Sequence, residues 1–155
     1  MAYRHTQVSR LALGIAGVQA LGVAAMLASP AVPWVPAAIL GAVLPVPLIF
    51  SRLTTEVDGG ELRFWFGGGF WRTRIPLAAI TSVEPVRNSW WWGWGIRITP
   101  DGWLYNVAGV DAIRVAQQNG ITLRIGTDEP RELARAVEKA VTYKHEGHEG
   151  HEDAR

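Results

Sequence analysis

LALGIAGVQALGVAAMLASPAVPWVPAAILGAVLPVPLIFS, residues 11–51, contains no Asp, Glu, Lys, Arg or His. Charged residues make up 19% of the 155-residue chain, so a gap of this length marks a segment that avoids water. A helix rises 1.5 Å per residue, and crossing a hydrocarbon core of roughly 30 Å takes about 20 residues. Leu11–Ala28 provides one such span and Trp34–Phe50 a second. Residues 29–33, Ser29-Pro30-Ala31-Val32-Pro33, form the break between them, because proline cannot continue a helix. Trp34 suits the membrane interface, where an indole keeps one polar edge wet. The first span carries Gly14, Ala16, Gly17, Ala20, Gly22, Ala24 and Ala25, small residues that let helices approach closely in lipid. The expectation is a hairpin packed on its small faces.

Other readings of the run compete. Residues 1–28 also have the form of a secretory signal, with Arg4 and Arg10 ahead of an apolar stretch. A buried helical hairpin in a water-soluble protein is a second alternative, though a chain this short covers two all-apolar helices poorly. A third is a single span followed by an interfacial segment, since Pro36, Pro45 and Pro47 interrupt the second stretch. The flanking cations set the orientation of the hairpin. Arg4 and Arg10 precede it, Arg52 follows it, and the connection carries no charge, so the positive-inside rule expects residues 1–10 and the C-terminus in the cytoplasm.

Net charge is +1, which selects neither nucleic acid nor an acidic partner. The absence of cysteine removes disulfides, thiolate metal sites and cysteine nucleophiles. From Leu53 the periodicity becomes two, the mark of half-buried strands. Leu53, Thr55 and Val57 alternate with Thr54, Glu56 and Asp58. Leu62, Phe64 and Phe66 alternate with Glu61, Arg63 and Trp65. Trp71, Thr73 and Ile75 follow a glycine turn at 67–69. Further strands are expected at 82–86, 96–98, 103–107, 113–115 and 121–125. Asn119-Gly120 predicts a type I′ hairpin, which needs positive φ at both central residues. A helix over about 128–142 follows, with Leu133, Val137, Ala140 and Val141 on one stripe.

About seven short strands closed by a capping helix, over residues 51–142, is the layout of a pleckstrin-homology-like (PH-like) barrel or sandwich. The chain resembles small bacterial membrane proteins with an N-terminal transmembrane hairpin and a PH-like domain. The resemblance rests on Gly93-Trp94-Gly95-Ile96-Arg97, Gly102-Trp103-Leu104-Tyr105-Asn106-Val107 and Arg124-Ile125-Gly126-Thr127-Asp128. It implies a fold and a multi-pass location in the cell (inner) membrane, and it carries over no catalytic residues.

Three groups of residues stand out. Trp90, Trp91, Trp92 and Trp94 place four of the eight tryptophans in five residues of an inter-strand loop. Such a loop either dips into the membrane interface, or docks a partner, or packs most of its rings, with Trp94 over the loop glycines and Trp92 on the barrel wall. Arg63, Arg72 and Arg74 fall on neighbouring strands, and guanidinium geometry suits an anionic headgroup. Nearby acidic residues also fit a mixed-charge, solvated face. The tail, residues 143–155, repeats His145-Glu146-Gly147-His148-Glu149-Gly150-His151. It reads as a solvated, disordered end or as a loose metal ligand set. His5 and the tail supply every imidazole, no phosphate loop is present, and no carboxylate pair has a context that separates its pKa values, so catalysis is not expected.

The expectation is a non-catalytic membrane protein without a cofactor, whose hairpin presents a cytoplasmic interaction or scaffold module. Its partners are the lipid bilayer and a membrane protein or a second copy, and not nucleic acid. The alternative is an accessory subunit that docks on partner helices through the Gly/Ala face. Metal binding by the tail is the third option.

Overall fold

A computed structural model describes residues 3–31 and 33–149. An edge strand β1 (Tyr3–Val8) leads into the apolar helix α1 (Arg10–Ala28) and two shorter helices, α2 (Trp34–Val43) and α3 (Pro45–Ile49). Eight strands follow: β2 (Arg52–Asp58), β3 (Glu61–Phe66), β4 (Phe70–Pro76), β5 (Ile80–Arg87), β6 (Gly95–Thr99), β7 (Gly102–Asn106), β8 (Asp111–Gln117) and β9 (Thr122–Gly126). Helix α4 (Pro130–Glu149) comes last. The architecture is therefore an N-terminal apolar helix followed by a β-sheet domain with a C-terminal helix.

Ser9 starts α1. Its extended backbone and its Oγ, which accepts from the Ala12 amide at 3.2 Å, satisfy one of the free donors of the first turn. Of the described helices, α1 is the one long and apolar enough to cross a membrane. The expected second span is divided into α2 and α3, which together cover a shorter stretch, Trp34–Ile49. Pro45 and Pro47 lack the amide hydrogens that would carry one uninterrupted ladder through this region. The two arms of the insert do pack together, and Ala16 and Ala37 are the buried residues of α1 and α2. The glycines do not form that seam: a Cβ placed on Gly14, Gly17, Gly22 or Gly41 would meet nothing within 4 Å.

The strands form two open sheets rather than a closed barrel of about seven. One has the order β1-β2-β3-β4, the other β5-β8-β9-β7-β6. All neighbours are antiparallel except β7 and β9, which run parallel with Trp103 opposite Leu123 and Tyr105 opposite Ile125. The inward residues of the alternating strands build one core: Leu53, Leu62, Phe64, Phe66, Ile113 and Ile125. Leu133 and Val137 of α4 close it. The stripe expected on the helix is thus the covering surface, and α4 lies against β5, β8 and β2. The helix continues past the expected end at 142, to Glu149, so residues 143–149 are helical in backbone rather than a disordered tail.

Two local expectations change. Tyr3–Val8, read as an N-terminal segment outside the β domain, is a full strand of the first sheet, with Tyr3 opposite Val57 and Val8 opposite Arg52. The Asn119-Gly120 hairpin exists between β8 and β9, but not as a type I′ turn. Gly120 has φ of 79°, and Trp71 is the one non-glycine residue with positive φ among those described. The Asn119 side chain instead accepts from the Ile121 amide at 3.0 Å, and a longer loop results.

Candidate membrane-facing surface

The apolar insert leaves and re-enters the β domain at one point. The amide of Ser9 donates to the carbonyl of Ser51 at 2.7 Å, directly beyond the Val8–Arg52 pair. The Ser51 hydroxyl donates to the Leu48 carbonyl at 2.6 Å, which ties the end of α3 to the same junction. Both serines are buried, at 3% and 4% exposure, so their polar atoms are spent within the protein.

The β3–β4 turn packs beneath this junction. The Gly67 amide donates to the Arg52 carbonyl at 2.9 Å, and Phe50 meets Phe66 edge-on with ring centroids 5.1 Å apart. Gly67 has φ of 54°, and a Cβ there would lie 3.2 Å from the Ile49 carbonyl oxygen, so glycine allows both the turn and the approach. The next residues, Phe70 and Trp71, are half exposed. Trp71 holds φ of 48°, a conformation that a bulky residue adopts only where its surroundings enforce it.

On the other side of α1 lies a cleft of about 370 Å³. Leu11 and Ile15 of the first helical turns, Phe50, Trp94, Ile96 and Arg97 form its walls. The start of β6 therefore runs beside the root of the helix. Arg97 holds its place by donating Nε–H to the Trp94 carbonyl at 3.1 Å. Among the described residues, Arg10, Arg52, Arg72 and Arg97, at or near this end, have no carboxylate within 4 Å, whereas Arg63, Arg87, Arg114 and Arg124 are each paired with one.

The tryptophan loop splits into two kinds of ring. It runs from the end of β5, one edge of the second sheet, to β6, the opposite edge. Trp90–Trp92 make a single 3-10 turn. Trp92 is half-buried with the Arg124 guanidinium 5.0 Å from its ring centroid, so that ring packs on the sheet as expected. Trp90 and Trp91 stack on each other at 3.7 Å and remain 67% and 76% exposed. Trp94 is half exposed and walls the cleft beside α1.

Arg63, Arg72 and Arg74 do share one face of the first sheet, and Arg63 stands directly opposite Arg74. Arg63 donates to Glu61 at 2.8 Å, a bond that raises its pKa, and Arg72 stacks on Trp65 with Arg4 on the same ring. His5, read as lying outside the folded region, sits in β1 with Nε2 2.6 Å from Asp128 and Nδ1 3.3 Å from Glu129 at the start of α4. Beside it, burial and then the Glu129 carboxylate raise the Tyr3 pKa, and the phenol donates to that carboxylate at 3.2 Å.

Among the described residues no group of three or more His, Cys, Asp or Glu gathers as a metal site. The side chains of His145 and His148, and all of His151, lie outside the described residues. The cleft and the β1 pairing escaped the sequence reading, because each joins residues far apart in the chain. The signal available for the junction was Ser9, a helix-capping residue two positions before the uncharged run. A comparison with protein-family models and with curated proteins finds no match to this chain.

Proposed function

We propose that this chain is an integral membrane protein whose apolar insert anchors a PH-like β domain at the cytoplasmic face of the bilayer, as a non-catalytic interaction or scaffold module. The observation that carries this reading is the Ser9–Ser51 hydrogen bond beside the β1–β2 ladder. A segment that starts and ends on adjacent strands returns to its own side, as a hairpin across a membrane must. The unpaired arginines at its root fit the cytoplasmic face by the positive-inside rule. Two facing sheets under a C-terminal helix support the PH-like reading, with the parallel β7–β9 pair as a departure from an all-antiparallel version. α2 and α3 act together as the return span in this account.

The cysteine-free sequence gives a direct test. Ala31→Cys, in the connection, is expected to react with a membrane-impermeant maleimide in intact cells. Thr142→Cys, exposed on α4, is expected to react only after lysis. Labelling of Thr142→Cys in intact cells overturns the orientation, and an unreactive Ala31→Cys overturns the two-span reading.

A second reading, an accessory subunit docked on partner helices, is favoured by the open glycines Gly14, Gly17 and Gly22 of α1. Recovery of the protein alone, or only with itself, from detergent-solubilised membranes dismisses it. Metal binding by the tail stays a third reading, dismissed if removing residues 145–155 leaves metal uptake unchanged.

A further inference from the structure

From the cleft at the root of α1 we infer a binding site for one anionic phospholipid of the surrounding leaflet, with an acyl chain between the helix and β6 and the phosphate on Arg97. The inference rests on the membrane reading above. The volume, about 370 Å³, lies at the lower end of the range of small-molecule sites, which suits one chain segment rather than a whole lipid. The walls supply the chemistry for such a chain. Leu11, Ile15, Phe50 and Ile96 are apolar, and Trp94 presents an indole, the side chain best suited to the boundary between acyl chains and headgroups. Among the described residues, Arg97 is the sole charged residue of the lining, and none of their carboxylates stands within 4 Å of it to compete for an anion. Its Nε is engaged by the Trp94 carbonyl, so the guanidinium is held in place while its terminal amino groups have no partner among the described residues. A held fork of this kind suits a phosphate.

Position selects the source of the ligand. The cleft opens beside the first two turns of α1, between Leu11 and Ile15. If α1 enters the bilayer at Arg10, those turns lie where a lipid's headgroup gives way to its chains. A neighbouring phospholipid then reaches the cleft without leaving the leaflet. Arg10 and Arg52, exposed and without a carboxylate partner among the described residues, add to the local positive potential that favours an anionic headgroup.

The test uses the full chain purified in a mild detergent and native mass spectrometry with added phosphatidylglycerol, phosphatidylcholine or palmitate. The expected result is a single retained phosphatidylglycerol, bound about tenfold more tightly than phosphatidylcholine, as one charge-assisted contact predicts. Arg97→Gln is expected to remove that preference. Ala12→Trp, which fills the cleft from α1, is expected to weaken both phospholipids, with Arg97→Gln serving alone if the Trp variant misfolds. Unchanged preference in Arg97→Gln overturns the site. Palmitate that displaces phosphatidylglycerol mole for mole overturns the assignment to a leaflet lipid in favour of a free amphiphile. The membrane reading fails separately: it falls if alkaline carbonate strips the chain from membranes. If the chain stays and no anionic preference exists, the site alone is wrong.

Discussion

The Arg124 guanidinium lies 5.0 Å from the centre of the Trp92 ring while donating to Asn88 Oδ1 at 3.2 Å and to the Asp101 carboxylate. One buried side chain thus ties the start of the tryptophan loop, its middle and the β6–β7 turn to strand β9. Removing it strands Asn88, which is itself buried. Arg124→Met is expected to cost about 2 kcal/mol, mostly from the Asn88 side-chain oxygen left without its donor. Denaturant unfolding of the full chain in detergent measures it. Arg124→Lys keeps the charge and loses the fork, so it is expected to recover less than half.

The loop's two kinds of ring separate by substitution. Trp90→Ser and Trp91→Ser remove exposed rings and are expected to change stability by no more than about 0.5 kcal/mol. Trp92→Ser loses packing and the cation–π contact, and is expected to lower the unfolding midpoint clearly. Equal effects at all three positions refute the division.

Asp101 gives the acid response a source. The hydrogen bond from Arg124 holds its carboxyl below the usual carboxylate range. A depressed folded-state pKa means stability that is present above the unfolded value and lost as the pH falls through the folded one. Unfolding midpoints measured from pH 5 down to pH 2.5 are expected to fall in that window, and Asp101→Asn is expected to shallow the fall.

Alkaline conditions act on Tyr3. Its pKa is raised by burial and by Glu129, so its contribution is present below pH 10 and lost above that value as the phenolate forms. Tyr3→Phe is expected to flatten the alkaline loss while lowering neutral stability by about 1 kcal/mol, the worth of one hydrogen bond.

The parallel pair is set by a glycine. Gly102 has φ of 119°, and a Cβ there would collide with the Thr122 carbonyl on β9. Gly102→Ala is expected to cost about 3 kcal/mol, at the upper end for a strained backbone position, and to speed amide exchange in β7 and β9. Gly120→Asn, in open space at φ of 79°, is expected to be tolerated.

Much of this architecture is legible in the chain itself. Strands β2 to β9 and helix α4 carry their periods openly, because Leu62, Phe64 and Phe66, or Leu133 and Val137, are apolar where they face the core. β1 alternates too, but its inward residues include His5 and Gln7, whose partners are Asp128, Glu129 and the Ala108 carbonyl. A polar inner face hides a strand from any reading of hydrophobic period. The Trp92 contact depends on a residue 32 positions away, and the parallel β7–β9 pairing on a turn glycine, so neither has a local signature. The division at Pro45 was visible, because proline interrupts a helical ladder wherever it falls.

Because β1 is made before the insert and β2 after it, the first sheet cannot close until everything between Ser9 and Ser51 has been synthesised and placed. If the insert spans a membrane as proposed, a chain that carried its first strand to the wrong side would leave Tyr3–Val8 separated from Arg52–Asp58 by the bilayer, with β2 as a bare edge and Gln7 without its carbonyl. Such an edge invites aggregation and proteolysis. On the proposed membrane reading, completion of the sheet becomes a checkpoint on insertion, in which only correctly threaded molecules gain the stability of a finished domain.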